Sequence, residues 1–122
     1  MNLGNVAFTA GTEQPVISVI VPFYNERAVL PLCLDRLENV LDALGERFEV
    51  LFVDDGSDDG GDQYLIGEGL SRPWLQLVRL SRNFGKEAAL TAGLDYAAGQ
   101  VVVLLDADLQ DPPEHIPDML RH

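Results

Sequence analysis

The chain is patterned as apolar runs that alternate with amphipathic stretches, and polar clusters separate them. Val16 to Val21 is a nearly unbroken apolar run, followed by a turn from Pro22 to Glu26. Phe48 to Val53 repeats the pattern and closes on Asp54, Asp55, Gly56 and Ser57. Trp74 to Leu80 is a third run with polar interruptions, which suit a sheet edge. Val101 to Leu105 is a fourth, bounded by Gly99 and by the pair Pro112 and Pro113. Runs of this length without strict alternation predict strands buried on both faces of a sheet.

Between the runs the period changes from strand to helix. Leu30, Cys33, Leu34, Leu37, Val40, Leu41 and Leu44 make one stripe at helical spacing. Pro31 fits the first turn of that helix, where a missing N–H costs little. Asn25 or Glu26 is the expected N-cap and Gly45 the expected end. A short helix is expected around Asp62–Leu70, although its glycines disfavour it. Another is expected from Glu87 to Ala98 with Ala89, Leu90, Gly93, Leu94 and Ala97 inward and Gly99 as cap, and one more begins at Pro113. Residues 1–14 lack periodicity and read as a loose arm, leaving 15–122 as one domain. Strand–helix alternation with short connections implies an α/β fold: about four parallel strands, right-handed crossovers, and helices on both faces.

Each strand therefore ends in polar residues along one edge, where open α/β sheets bind ligands. If the chain stays extended past Leu105, Asp106, Asp108 and Gln110 point the same way, about 6–7 Å apart at each step of two. That array places hard oxygen donors at the end of a central strand and suits Mg²⁺ or Mn²⁺. Two unit charges about 6 Å apart repel by roughly 3 kcal/mol at an effective dielectric near 20. A phosphate beside Asp106 and Asp108 thus needs a cation between them, while Arg82 and Lys86 on the neighbouring loop can reach phosphate oxygens. Asp54 and Asp55 can accept hydrogen bonds from a base or a ribose. Capping and turn formation are the plainer roles for each of these clusters taken singly.

Composition narrows the reading. The 122 residues are 47% hydrophobic with a mean hydropathy near zero, as in soluble globular chains. A formal charge of −12 with only eight Lys and Arg argues against a nucleic-acid partner. Cys33 is the sole cysteine and falls on the apolar stripe, so it reads as a core residue of a chain in a reducing, cytoplasmic setting. Neither a signal peptide nor an apolar run of membrane-spanning length is visible. GxxxxGK[ST] and GxGxxG loops are absent, which excludes the ordinary P-loop and Rossmann cofactors. His115 and His122 read as surface residues, and no serine has a partner base.

The segments Val21–Glu26, Val53–Asp58, Ser81–Leu90 and Leu105–Glu114 together resemble family 2 glycosyltransferases of the GT-A fold. They are most similar to the branch that loads sugars onto polyprenyl phosphates, such as dolichol-phosphate mannosyltransferase and undecaprenyl-phosphate sugar transferases. The resemblance covers about residues 16 to 120. It implies that Pro22, Tyr24 and Glu26 line a nucleoside pocket with Asp54 or Asp55 on the base or ribose. It also implies that Asp106 contacts nucleotide and metal, while Asp108 and Gln110 complete the metal's protein ligands. The implied donor is a UDP- or GDP-linked sugar and the implied acceptor a polyprenyl phosphate that attacks the anomeric carbon with inversion, in a parent protein on the cytoplasmic face of a membrane.

Acceptor-binding loops of that family have no counterpart here, so the chain is expected to be the nucleotide-binding half, binding nucleotide weakly without turnover. Self-association is one way for a half-domain to cover its exposed surface, making a homo-oligomer an expected state. The rival readings are a saccharide-acceptor transferase of the same family, a non-catalytic nucleotide-binding module, and a phospho-accepting signalling domain. The last would need a lone Asp at a central strand end and a Lys on a later strand.

Overall fold

The computed structural model of the chain describes residues 6–8 and 14–121. Its elements run β1 (Val6–Phe8), β2 (Ile17–Phe23), α1 (Leu30–Leu44), β3 (Phe48–Asp54), α2 (Gly61–Gly69), β4 (Leu75–Arg79), α3 (Lys86–Tyr96) and β5 (Val101–Leu104). A short 3-10 helix (Pro113–His115) and α4 (Ile116–Leu120) follow. The sheet order is β1-β4-β3-β2-β5. The pairs β2–β3, β3–β4 and β2–β5 are parallel, giving the four-stranded parallel sheet expected from the alternation.

The sheet is covered on both faces. On one, Val19, Val21, Phe23, Val50, Phe52, Leu75 and Leu77 pack against Leu30, Cys33, Leu34, Leu37 and Leu41 of α1, Leu65 of α2 and Ile116 of α4. On the other, Ile20, Val53, Val78 and Leu80 meet Ala89 and Ala92 of α3. The small residues of α3 set its distance from the sheet: a Cβ on Gly93 would lie 2.4 Å from the Ile20 Cγ2. Cys33 is fully buried, and burial pushes its thiol up to about 12, so it is a packing residue as expected.

Several expectations are corrected. Within the expected arm, Val6–Phe8 is a strand that pairs antiparallel with β4, while residues 1–5 and 9–13 lie outside the described residues, as does His122. That pairing flanks β4, and its polar interruption has a cause other than an edge. Gln76 is 9% exposed and donates from Nε2 to Glu49 Oε1 at 2.6 Å. Conversely β5 is not central. Among the described residues it pairs with β2 alone, and Val101, Val102 and Leu104 are 39–48% exposed. Only Val103 and Leu105 attain the burial that the apolar run suggests.

Helix boundaries shift for local reasons. α1 begins at Leu30 with Val29 as N-cap and no side-chain cap, whereas the Glu26 carbonyl accepts the N–H groups of Val29 and Leu30. Asn25 is used elsewhere, as described below. Pro31 does sit in the first turn, and Gly45 ends the helix at φ 75°. α3 ends at Tyr96 with extended Ala97 as its C-cap, so Gly99 is not the cap. Gly99 instead crosses β2 closely, where a Cβ would fall 2.6 Å from Ser18 Oγ.

Candidate functional site

The carboxyl ends of β2, β3 and β5 and the amino end of α3 surround a cleft of about 490 Å³. Three turns build its walls. After β2, the chain reverses through Asn25 at φ 53°, a left-handed conformation that asparagine tolerates. The Asn25 N–H donates to Ser57 Oγ at 2.8 Å, and Asn25 Oδ1 accepts the Asp58 N–H at 2.9 Å. Arg27 N–H donates to Asp59 Oδ2, so the turns after β2 and β3 are stitched together along their length.

After β3, the two aspartates diverge. Asp54 is 3% exposed, accepts the Ser57 N–H at 2.8 Å, and does not line the cleft. Burial raises its carboxyl above the ordinary aspartate range, against the Ser57 hydrogen bonds that lower it. Asp55 lines the cleft and holds the next wall: its carboxylate accepts the Phe84 N–H at 2.8 Å and the Gly85 N–H at 3.0 Å. Gly56, which follows Asp55, has φ 83°, and a Cβ there would lie 2.5 Å from the Arg82 carbonyl carbon. Only glycine permits the two loops to touch.

Gly85 is the N-cap of α3 with φ 101°, and Lys86 is the helix's first residue. The helix's amino end therefore opens toward the cleft, a position where free N–H groups and the helix dipole favour an anion. Lys86 Nζ lies 2.7 Å from Asp106 Oδ1, and this contact raises the ammonium's proton affinity. Arg82 is placed differently: its guanidinium stacks 4.9 Å from the Phe84 ring centroid, and it does not line the cleft.

After β5 the chain does not stay extended. Residues 107–110 form a turn in which the Leu109 N–H donates to the Asp106 carbonyl and Leu109 has φ 66°. The Gln110 N–H donates to Asp108 Oδ1 at 3.1 Å. Asp106, Asp108 and Gln110 still line one cleft, but by folding of a turn and not by strand alternation. Their oxygens are the hard donors that Mg²⁺ or Mn²⁺ takes, so the residue types fit such an ion. Among the described residues no three His, Cys, Asp or Glu side chains are gathered as a ready ligand set.

The cleft thus brings together Pro22, Tyr24, Glu26, Asp55, Lys86, Asp106, Asp108 and Gln110, and leaves out Asp54 and Arg82. It adds Phe23, Asn83, Gly85, Ala89 and Ala107. Asn83 and Gly85 stand inside the Ser81–Leu90 segment, where the glycine before a helix start was the available signal. Among the described residues no helix is long and apolar enough to cross a membrane.

The chain is similar in sequence and in fold to known proteins. The model of the family described as glycosyl transferase family 2 matches residues 18–122. An uncharacterized glycosyltransferase of Bacillus subtilis, YkcC, is 47% identical over 104 residues, covering 85% of this chain and 32% of that protein. An undecaprenyl-phosphate 4-deoxy-4-formamido-L-arabinose transferase of Aeromonas hydrophila is 43% identical, covering 90% of this chain and 34% of its own length. The chain thus spans about a third of the length of these relatives. Among solved structures, the mannosyltransferase PcManGT of Pyrobaculum calidifontis, in complex with GDP-Man and Mn²⁺, superposes with a TM-score of 0.68 at 32% identity. That match covers 88% of this chain and 32% of PcManGT. By its family match and by the strand order that carries the cleft, the chain belongs to glycosyl transferase family 2 and has the α/β architecture of the GT-A fold.

Proposed function

We propose that the cleft is the donor site of a transferase that moves a sugar from a UDP- or GDP-linked donor to a polyprenyl phosphate. The observation that carries this reading is the convergence on one cleft of Asp106, Asp108 and Gln110 with Lys86 and the amino end of α3. Carboxylates alone would repel a diphosphate, and a helix start with a lysine alone would not call for an acidic turn. The combination suits a diphosphate that arrives with a divalent cation. The relatives named for undecaprenyl phosphate support the lipid-phosphate acceptor, and the GDP-Man complex of PcManGT supports a nucleotide-sugar donor.

In this mechanism Pro22, Tyr24 and Glu26 border the nucleoside, and Asp55 accepts from its base or ribose while still gripping Gly85. A carboxylate has about four acceptor positions, so two amide bonds leave room for a ligand. Asp106, Asp108 and Gln110 hold Mg²⁺ or Mn²⁺, whose chemistry is to neutralise charge on the diphosphate leaving group. Lys86 and the first amides of α3 take the remaining phosphate oxygens. The acceptor phosphate is its own nucleophile: with a second pKa near 6 it is largely ionised at neutral pH, so no basic side chain has to activate it. Attack at the anomeric carbon opposite the leaving diphosphate inverts its configuration.

The test is transfer of labelled sugar from UDP- and GDP-sugars to undecaprenyl phosphate, assayed by extraction of lipid-linked product. A protein carrying this chain and extended to the length of its relatives is expected to form product, and Asp108→Ala to abolish it. The 122-residue chain alone is expected to bind donor without forming product. Transfer that persists unchanged in Asp108→Ala contradicts the assignment.

A further inference from the structure

We infer that Lys86 is a built-in counter-cation for the acidic turn, one whose charge opposes a divalent metal ion until a nucleotide diphosphate draws it away; this rests on the donor-site reading above. Lys86 Nζ is 2.7 Å from Asp106 Oδ1, and Asp108 and Asp111 also act on the same ammonium. One lysine thereby balances part of the charge of three carboxylates. The oxygen it holds belongs to a residue assigned to the metal, so a divalent ion on the Asp106 carboxylate would stand close to the ammonium and be repelled by it.

The pair is built to exchange. The Lys86 side chain is 62% exposed and that of Asp106 33%, and ion pairs this open contribute little net stability. It also stands at a junction. Pro22, Lys86 and Asp106 line both the main cleft and a second cavity of about 210 Å³ that continues toward Leu90, Leu104 and Asp111. A lysine leaving Asp106 therefore has open space on either side of it. On the cleft side it meets the position proposed for the diphosphate, next to the start of α3.

Two consequences follow. The ion alone binds weakly, because it meets the charge of an ammonium at Asp106 without offering that ammonium another partner. Nucleotide supplies the partner, so ion and nucleotide each raise the other's affinity by the same factor. Removing the lysine charge is expected to reverse the first effect and shrink the second. A unit charge about 5 Å from a divalent ion in a water-like dielectric changes the ion's affinity by about five- to tenfold after screening.

The experiment measures Mn²⁺ binding to the 122-residue chain by electron paramagnetic resonance of the free ion, with no nucleotide and with saturating UDP or GDP. The wild-type chain, Lys86→Met and Asp106→Asn are compared, each shown folded by circular dichroism. Expected is Mn²⁺ affinity without nucleotide about five- to tenfold higher in Lys86→Met than in wild type, with a smaller gain on adding nucleotide and a loss in Asp106→Asn. Equal Mn²⁺ affinity in wild type and Lys86→Met overturns the counter-cation role; if nucleotide-dependent Mn²⁺ binding survives, the donor site itself stands. Absence of Mn²⁺ binding in every variant, with either nucleotide, overturns both.

Discussion

The Asp55 carboxylate accepts the Gly85 N–H at 3.0 Å, and through that bond the end of β3 fixes the start of α3. The same carboxylate accepts the Phe84 N–H, so one buried side chain positions the loop that delivers Lys86 to the cleft. Asp55→Ala is expected to lose both charge-assisted bonds and cost about 2–4 kcal/mol in urea unfolding. Lys86 would then no longer be aimed, and nucleotide affinity should fall with stability. A mutant of wild-type stability contradicts this role.

Glu49 makes a comparable knot at the opposite end of the strands. It is 1% exposed, and it accepts from Ser18 Oγ, from Gln76 Nε2 at 2.6 Å and from the Ala98 N–H at 2.7 Å. Its carboxyl group is thus held by three donors from two strands and the segment after α3. Glu49→Ala strands those donors and is expected to cost about 3 kcal/mol. Because the knot lies away from the cleft, nucleotide affinity of the still-folded fraction is expected to stay within about twofold. A large affinity loss in folded protein would contradict that separation.

Asp54 predicts a pH signature. Burial raises its carboxyl in the folded state, so its protonated form is favoured by folding. That contribution is fully present below the unfolded value and is lost as pH rises through the folded one. At neutral pH the ionised side chain is therefore a cost. Asp54→Asn keeps an oxygen for the Ser57 N–H and should melt above wild type at pH 7, with the gap closing as pH falls toward 4. Since Asp54 does not line the cleft, UDP and GDP affinity should be unchanged. A melting difference independent of pH would contradict the account.

Gly56 is constrained twice, by φ 83° and by contact with the backbone of Arg82 and Asn83. Gly56→Ala is expected to cost about 2 kcal/mol or more and to spread the loops after β3 and β4. Chemical-shift changes should concentrate at residues 54–58 and 82–86. Changes confined to residue 56 and its immediate neighbours would mean the loops are not in contact.

How much of this was legible in the sequence depended on whether local pattern or long-range contact decided the matter. The stripe from Leu30 to Leu44 and the Gly45 stop are local, and both were found where the spacing put them. The run from Val101 to Leu105 could not reveal sheet order, since apolarity marks a strand without saying which neighbours it has. Gln76 looked like an edge residue because its partner Glu49 is 27 positions away. An extended chain past Leu105 would align Asp106, Asp108 and Gln110, but the chain turns there. They meet in one cleft because Leu109 adopts a positive φ, which no sequence period signals for leucine. Asp54 and Asp55 were indistinguishable by type and separate only through burial.

The most direct test of the donor site is calorimetric titration of UDP and GDP into this chain, with and without Mn²⁺, for wild type and Asp108→Ala. Asp108 is exposed, and its one hydrogen bond among the described residues is from the Gln110 N–H two positions on, so its loss should leave the fold intact. The account predicts Mn²⁺-dependent binding of one nucleotide in the wild type, weakened at least about tenfold in Asp108→Ala, since losing even a partner that only orients a metal ligand costs about that much. Binding that is equal with and without Mn²⁺ and unaffected by the mutation would contradict the proposal that this acidic turn holds the cation of a nucleotide-sugar site.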